Sequence, residues 1–555
     1  MKILNPSEEL YFLPLGGSGE IGMNLNLYRY QNRWLMVDLG VTFSNDLGIE
    51  IIMPDTQFIE AHTQNLEGLV LTHGHEDHIG AIPYLWKRFK CPIYATPFTA
   101  ALVRGKLKEV GLIDGVKLIE IPLGGKVQLG SFEVEFVTLT HSIPEPNALV
   151  IRTPAGVVVH TGDWKLDADP LVGEHTDKKR LKEIGDEGVL ALMCDSTNVF
   201  VEGHTESEAK VRKSLIELVG RQKKRVAIGL FASNVARLET CALAAQAHGR
   251  QAALVGRSLI RMYEAAREVG YLKDIPKFLS ESEAMNMPRD KVLMLCTGSQ
   301  GEQRAALSRI AEGSHPRVKF DEGDTVIFSS RQIPGNELSI SELKQRLQMN
   351  GVQVISDGEE FTHVSGHPAR DELIEMYNLV RPQILVPVHG EHAHMQEQAQ
   401  LGLQSGIPQA LVPFNGSLIR LCPGKPEIIE EVANGRLCLD GTRVVPLISN
   451  HLRERQRLMR DGIAVVTLLV GRSNEIAEPI ISFVGLTMNK EEENLLSQAV
   501  LLEFAALIKD ASSETWLIDD KIEKMSQTAV RRAVRALSGH KPYVITHIVR
   551  VDANV

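Results

Sequence analysis

The sequence predicts an α/β fold in which a block of parallel sheet is inserted into a second, site-bearing α/β unit. Three observations predict it. Short apolar, β-rich runs alternate with helical patterns through most of the 555 residues, the pattern of packed strand and helix layers. A regular β-α-β-α rhythm runs from about residue 225 to 310, as a parallel sheet with helices on its faces requires. Histidines and aspartates of metal-ligand type stand at strand ends before this block and again after it. Two separated segments therefore share one site. The length exceeds what one core holds, about 250–300 residues, so two or three domains are expected.

Taken in order, LEGLVLT (66–72) reads as a strand ending at a histidine run, and IGAIPYLWKRF (79–89) as a helix. FEVEFVTL (132–139), GVVVHTG (156–162) and GVLALMCDS (188–196) are further strands. The last two end in polar residues, where loops leave a rigid sheet and sites are commonly built. A different rhythm begins near Thr205: strand RVAIGLF, helix NVARLETCALAAQAHG, strand QAALVG, helix RSLIRMYEAAREVG, strand KVLMLCTG and helix QRAALSRIA. Its GSQGE turn lacks the GK[ST] of a nucleotide-binding loop. DTVIFSS, GVQVIS and RPQILVPVHG carry strands to about residue 390. After Asn450 come strands GIAVVTLLVG and PIISFVGL, helices KEEENLLSQAVLLEFAALIKD and IEKMSQTAVRRAVRAL, and a final strand PYVITHIVRVD. The implied boundaries are 1–205 and 361–450 for the split domain, 206–360 for the insert and 451–555 for a C-terminal α/β domain.

Hydrophobic content of 43% and charged content of 23% are those of a soluble globular protein. No run of about 18 apolar residues would span a membrane, and the start, MKILNPSEELYFLPLGG, has no apolar core of a secretion signal. Six scattered cysteines without a CxxC pair read as reduced, buried thiols, so a cytoplasmic location is expected. A net charge of −10 argues against an all-over basic surface but leaves room for a local phosphate site.

The chemistry concentrates in His73-Gly74-His75-Glu76-Asp77-His78. Four ligand-type side chains fall in six positions after an apolar strand. Zinc takes imidazole nitrogen and carboxylate oxygen, and catalytic sites leave a position open for water. The tight turn lets His73 and His75 reach one ion while Asp77 and His78 turn toward a second. His141, Asp163 and His389, each just past a strand, complete the candidate set. His160 reads as a core histidine or one behind the ligands, and His392 and His394 as residues of the helix after His389.

These ligands and their order resemble the metallo-β-lactamase superfamily. The motifs LPLGGSGEIGMNLNLYRY, MPDTQFI, LTHGHEDHIGAIPYL, THSIPE, HTGDWKLD, CDSTN, TGSQGE, IPGNE, HVSGH and VPVHGE narrow the resemblance to its β-CASP nucleases, most closely the bacterial ribonuclease J group, over residues 10–420. The tail is similar more loosely. The resemblance implies a metallo-β-lactamase αββα sandwich interrupted by a β-CASP domain. It implies two zinc ions, one on His73, His75 and His141, the other on Asp77, His78 and His389, with Asp163 bridging. Manganese suits the same ligand types. The resemblance also places the group's motif residues on Asp195, His367 and His389, and its phosphate contacts on Ala232, Ser233, Asn234 and the run His363, Val364, Ser365, Gly366, His367. Arg331-Gln332 and Pro368 depart from the expected pattern.

The implied activity is a ribonuclease acting 5′→3′ on 5′-monophosphorylated ends, with internal cleavage as well, in RNA maturation and decay. His367 is the candidate general acid and Asp195 the carboxylate that keeps it protonated. Ser233 and Asn234 offer hydroxyl and amide donors, though Ser-Asn before VARLET also fits a helix N-cap. With aromatics at only 5%, single-stranded RNA should be held through its backbone, giving weak sequence preference and marked salt dependence. The basic tail helix reads as a solvated face. The resemblance further implies a homodimer or homotetramer and an RNA-degradation complex. The competing readings are a DNA-directed β-CASP nuclease, a small-molecule hydrolase on the same fold and a non-catalytic RNA-binding or scaffold subunit, the last disfavoured because all seven ligand positions are filled.

Overall fold

The computed structural model describes residues 8–44, 47–333, 335–471, 476–487, 489–509, 511, 515 and 517–551. Residues 1–7, Pro334, Asp510 and Asp552, each part of a segment read above, lie outside these. The chain divides into two units, one comprising residues 1–43 and 51–437, the other residues 44–50 and 438–555.

The first unit holds two face-to-face sheets. One has eight strands in the order Glu427–Glu431, Ser417–Cys422, Leu10–Gly16, Leu25–Tyr30, Arg33–Val37, Leu66–Val70, Ile93–Ala95 and Leu118–Glu120. The other has seven: Lys126–Leu129, Phe132–Thr138, Asn147–Thr153, Gly156–His160, Ala191–Asp195, Ile384–Val388 and Gln409–Ala410. Alternate residues turn inward from both, so that Phe12, Tyr28 and Val70 share a core with Phe132, Phe136, Met193 and Val386. The opposite face of the seven-stranded sheet, through Leu192, Cys194 and Leu385, packs on Leu181 and Ile184 of helix Lys178–Glu187 and on Leu373, Met376 and Val380 of helix Arg370–Val380. Helix Pro97–Glu109 lies beside the last two strands of the eight-stranded sheet. This is the αββα sandwich the sequence predicts.

Ala191–Asp195 and Ile384–Val388 are adjacent parallel strands with Asp195 opposite Val388. The inserted block leaves the sheet after the first and returns at the second, which puts Asp195 next to His389. The block is a five-stranded sheet in the order Gln251–Val255, Val292–Cys296, Val226–Gly229, Thr325–Phe328, Gln353–Ile355, parallel throughout. Ile228, Leu254 and Leu295 face Leu215, Leu238 and Leu259 on one side. Ala227, Ala253 and Met294 face Leu307, Ile310 and Leu343 on the other. Burial on both faces explains why these strands read as unbroken apolar runs.

In the second unit, strands Ile480–Val484, Ile463–Val470 and Tyr543–Arg550 form one sheet. Ala464, Val466 and Leu468 pack on Leu496, Val500 and Phe504 of helix Lys490–Lys509 and on Ile522, Val530 and Val534 of helix Asp519–Ser538. The basic residues of that last helix lie off its buried stripe. All six cysteines are unpaired. No helix among the described residues is long and apolar enough to cross a membrane.

One ion cluster pins the edge of the sandwich. Glu135 is buried and accepts from Arg180 Nε at 2.7 Å and from Arg152 Nη1 at 2.6 Å. Burial pushes its carboxyl up, but Arg180, Arg152 and Lys126 outweigh this and hold it down to about 2, from an ordinary 4.5. The stabilisation is complete above the ordinary value and is lost as pH falls through about 2. Glu135→Gln is expected to cost about 1–3 kcal/mol near neutral pH. Denaturant midpoints of the two proteins should converge as the pH is lowered from about 4.5 toward 2.

Candidate active site

The site forms where strand ends of both sheets meet. His73 follows strand Leu66–Val70, and His75 precedes the short helix Glu76–Ile79 that carries Asp77 and His78. His141, Asp163 and Asp195 lie at or just past the strands Phe132–Thr138, Gly156–His160 and Ala191–Asp195 of the seven-stranded sheet. His389 follows Ile384–Val388 in a left-handed conformation (φ 52) and donates its N–H to the Gly17 carbonyl at 2.6 Å. The turn packs tightly: a Cβ on Gly40 would sit 1.6 Å from the Asp77 carbonyl oxygen.

The seven predicted ligands come together as two overlapping groups. His73, His75, His141 and Asp163 form one, and Asp77, His78, Asp163 and His389 the other, with each group's donor atoms within 4.8 Å of one another. Asp163 Oδ2 lies 3.3 Å from His78 Nε2, 3.4 Å from His389 Nε2, and 3.8 Å from both His73 Nε2 and His141 Nε2. His75 Nδ1 is 3.1 Å from His73 Nε2 and from His141 Nε2. Tetrahedral ligands at about 2.0–2.1 Å from zinc stand about 3.4 Å apart, so the spacing suits donors arranged around ions. The other Asp163 oxygen, Oδ1, is buried with no hydrogen-bond partner among the described residues. Such an atom calls for a hydrogen-bond donor or a cation.

The outward nitrogens fix the rings. His78 Nδ1 donates to Asp38 Oδ2 at 2.7 Å, and His141 Nδ1 donates to the Gly366 carbonyl at 2.5 Å. His73 Nδ1 donates to Thr72 Oγ1 at 3.0 Å, whose hydroxyl donates to Asp38 at 2.8 Å. His389 Nδ1 lies against the Asn24 side-chain amide, 2.9 Å from Nδ2 and 3.1 Å from Oδ1. Each hydrogen bond turns Nε2 inward, as a metal site requires. Burial, reinforced by neighbouring imidazoles, lowers His73 and His141 well below the usual histidine range. Burial likewise takes His75 down to about 4, so all three offer free lone pairs. Burial also disfavours charge on His78, but Asp163, Asp77 and Asp38 overcome it and raise that group. Carboxylates converging on one point call for a cation. Asp38 and Asn24 were missed in the sequence. Asp38 carried a readable signal, a carboxylate ending the apolar run WLMVD two residues before Gly40; Asn24 carried none.

Asp195 and His367 meet beside this cluster. His367 Nδ1 donates to Asp195 Oδ2 at 2.7 Å. Asp195 Oδ1 accepts from Thr197 N at 2.9 Å and Thr197 Oγ1 at 2.7 Å. The His367 ring centroid lies 5.1 Å from that of His141 and 5.6 Å from that of His389. Burial works against the imidazolium, but Asp195 outweighs it and lifts the group to about 9. Asn198 Nδ2 ties the loop down through Ser365 Oγ at 2.7 Å and the His367 carbonyl at 3.0 Å.

The two candidate phosphate-contacting segments are neighbours: the Phe231 ring, preceding Ala232 and Ser233, stands edge-on to His363 with centroids 6.5 Å apart. Asn234, however, is committed elsewhere. Its Oδ1 caps helix Val235–Ala247 by accepting from Arg237 N at 2.9 Å, and its Nδ2 donates to Glu208 Oε1 at 3.1 Å. Val364 is buried in the core of the inserted block. A Cβ on Gly366 would approach His141 Cε1 to 2.7 Å, so glycine is needed there to seat a candidate ligand. His160 is buried and its Nδ1 faces Tyr28 OH at 2.9 Å, outside both groups. His392 and His394 open helix His392–Gln404 and pack against Phe414 and Phe200, with centroids 4.9 and 5.3 Å apart.

Comparison with known proteins converges on one family. Residues 223–347 match the model of the ribonuclease J β-CASP domain, 23–229 the metallo-β-lactamase superfamily, 351–412 the zinc-dependent metallo-hydrolase RNA specificity domain and 450–551 the ribonuclease J C-terminal domain. The chain is 44% identical to ribonuclease J of Sinorhizobium meliloti over 98% of both chains. It is 39% identical to ribonuclease J 1 of Streptococcus pyogenes, covering 92% of this chain and 93% of that one. With ribonuclease J of Thermus thermophilus it shares 34% identity over 98% of this chain and 96% of that one. A solved structure of a protein of unknown function from Enterococcus faecalis superposes with a TM-score of 0.52 at 16% identity, covering 74% of this chain and all of that one. That likeness concerns the fold.

Proposed function

The chain belongs to the ribonuclease J family, and from that premise we propose that it is a metal-dependent ribonuclease working 5′→3′ from 5′-monophosphorylated RNA ends, with internal cleavage as a second mode. The observation that carries this reading is the Asp195–His367 pair, 2.7 Å apart, beside the histidine-aspartate cluster. A small-molecule hydrolase on the same fold has no need of such a pair on the edge of an inserted domain.

His73, His75 and His141 would hold one divalent ion and Asp77, His78 and His389 a second, with Asp163 shared; zinc suits these ligands best. Bound there, the ions would supply hydroxide at neutral pH and neutralise charge on the phosphate. The remaining chemistry belongs to the protein. A leaving 3′-oxygen needs a proton. His367 would carry one on a ring that Asp195 holds through Nδ1, and that ring stands 5.1 Å from that of His141 and 5.6 Å from that of His389. Thr197 and Asn198 keep the carboxylate and the loop from moving as charge shifts between them. Ser233, His363 and Ser365 would hold the terminal phosphate. The RNA backbone would lie between the sandwich and the inserted domain, with little base readout and a steep salt dependence. Family membership also supports action in RNA maturation and decay in the cytoplasm, as a homodimer or homotetramer within an RNA-degradation complex.

The test is hydrolysis of oligomers that share one sequence: 5′-monophosphorylated RNA, 5′-triphosphorylated RNA and single-stranded DNA, each with and without chelator. Mononucleotide release from the monophosphorylated RNA, abolished by chelation, is expected. Equal rates on DNA would favour a DNA-directed nuclease, and activity surviving chelation would overturn the metal-dependent reading.

A further inference from the structure

Three cationic side chains bear on the His363 imidazole: Arg237, Arg331 and Lys165. Two are neutralised within the fold. Arg237 is fully buried and pairs with Glu208, Nη2 to Oε2 at 2.9 Å. Lys165 is buried and pairs with Asp167 at 2.9 Å. Arg331 is different. It is exposed, and among the described residues no carboxylate pairs with it. Its one side-chain hydrogen bond there runs from Nη1 to the neutral Asn198 Oδ1 at 2.8 Å. Its backbone is anchored, because the Arg331 carbonyl accepts from Gln300 Nε2 at 2.9 Å and Gln300 Oε1 accepts from Ile333 N at 2.9 Å.

That hydrogen bond aims the guanidinium at the loop that carries His363, Ser365 and His367. Asn198 is the shared partner, donating onward to Ser365 Oγ and to the His367 carbonyl. His363 meanwhile presents a buried Nδ1 without a hydrogen-bond partner among the described residues. Burial and the surrounding cations hold His363 neutral, so it can donate or accept but brings no charge. An uncompensated arginine beside an orphaned imidazole nitrogen and a serine hydroxyl is the donor set for a phosphate that carries more charge than a backbone diester.

Resting on the ribonuclease reading above, we propose that Arg331 is a specificity-determining residue that recognises the terminal 5′-phosphate of RNA, contributing the charge that His363 and Ser365 lack. Discrimination between 5′-monophosphate and 5′-hydroxyl ends then depends on this side chain, whereas interior phosphates do not engage it.

The experiment measures binding rather than turnover. Cleavage-resistant 2′-O-methyl RNA bearing either a 5′-monophosphate or a 5′-hydroxyl is titrated by fluorescence anisotropy into the wild-type protein, Arg331→Gln and Arg331→Lys. Arg331→Gln keeps a donor for Asn198 while removing the charge. Wild type is expected to prefer the phosphorylated end about tenfold. Arg331→Gln should reduce that preference to less than about twofold with unchanged 5′-hydroxyl affinity, and Arg331→Lys should restore part of it. A preference that persists in Arg331→Gln overturns the proposal. So does an equal loss on both oligomers, which would mark Arg331 as a brace for the Asn198 loop. A wild type that binds both ends alike overturns it too. Hydrolysis of RNA by the wild type tests the ribonuclease reading separately, so the two can fail independently.

Discussion

Asp163→Asn is expected to lower turnover by at least about a thousandfold and to leave the purified protein with half or less of the wild-type divalent metal. The substitution keeps shape and removes charge. Asp163 Oδ2 is the one atom common to both ligand groups, 3.3–3.8 Å from four imidazole nitrogens. An amide there offers a weaker oxygen and an NH2 that repels a cation. Losing one strong electrostatic element of a hydrolytic site typically costs about 10²–10³ in rate. Loss of the shared ligand should cost more, because it weakens both halves of the site. Elemental analysis and RNA hydrolysis on one preparation check this, with the unfolding midpoint confirming that the fold is kept. Wild-type metal content together with wild-type turnover would remove Asp163 from the site.

The ligand cluster was legible in the sequence for a physical reason. Histidines and aspartates directly after apolar strands have no packing role there, and His73 to His78 put four of them in six positions. The insertion was legible because a doubly buried parallel sheet reads as continuous apolar runs bounded by glycine turns. Local patterns do not carry pairings between distant strands. Nothing in SLIRLC (417–422) announces that it lies against Leu10–Gly16 at the sandwich edge. Roles that depend on what a side chain touches were equally hidden. Asn234 stood in the sequence as either phosphate donor or helix cap, and both its polar atoms serve the cap and Glu208. Gly366 stood in the sequence as one of a phosphate-contacting run, whereas a Cβ there would meet His141. Arg331 was visible only as an unexpected charge. The structure adds that Arg237 and Lys165 are paired with carboxylates, whereas among the described residues no carboxylate pairs with Arg331.

His367→Ala separates proton transfer from metal binding, because the two act through different atoms. His367 is not among the seven predicted ligands, and its Nδ1 is committed to Asp195. The variant should therefore retain wild-type metal while turnover falls about 10²–10⁴-fold, the usual contribution of a positioned acid. Asp195→Asn makes a finer test. Asp195 overcomes the burial that would otherwise push the imidazolium toward deprotonation. On the proposed mechanism the wild type needs His367 protonated, so its rate should fall as pH rises through the value of that group. With Asp195 uncharged, burial dominates, the group drops, and the alkaline limb of the pH–rate profile should move to lower pH. Near the acid end the variant and wild type should then differ least, since both are protonated there. A metal-depleted His367→Ala protein would make this residue a ligand. An Asp195→Asn profile lowered equally at every pH would mean that the carboxylate orients the ring without tuning it.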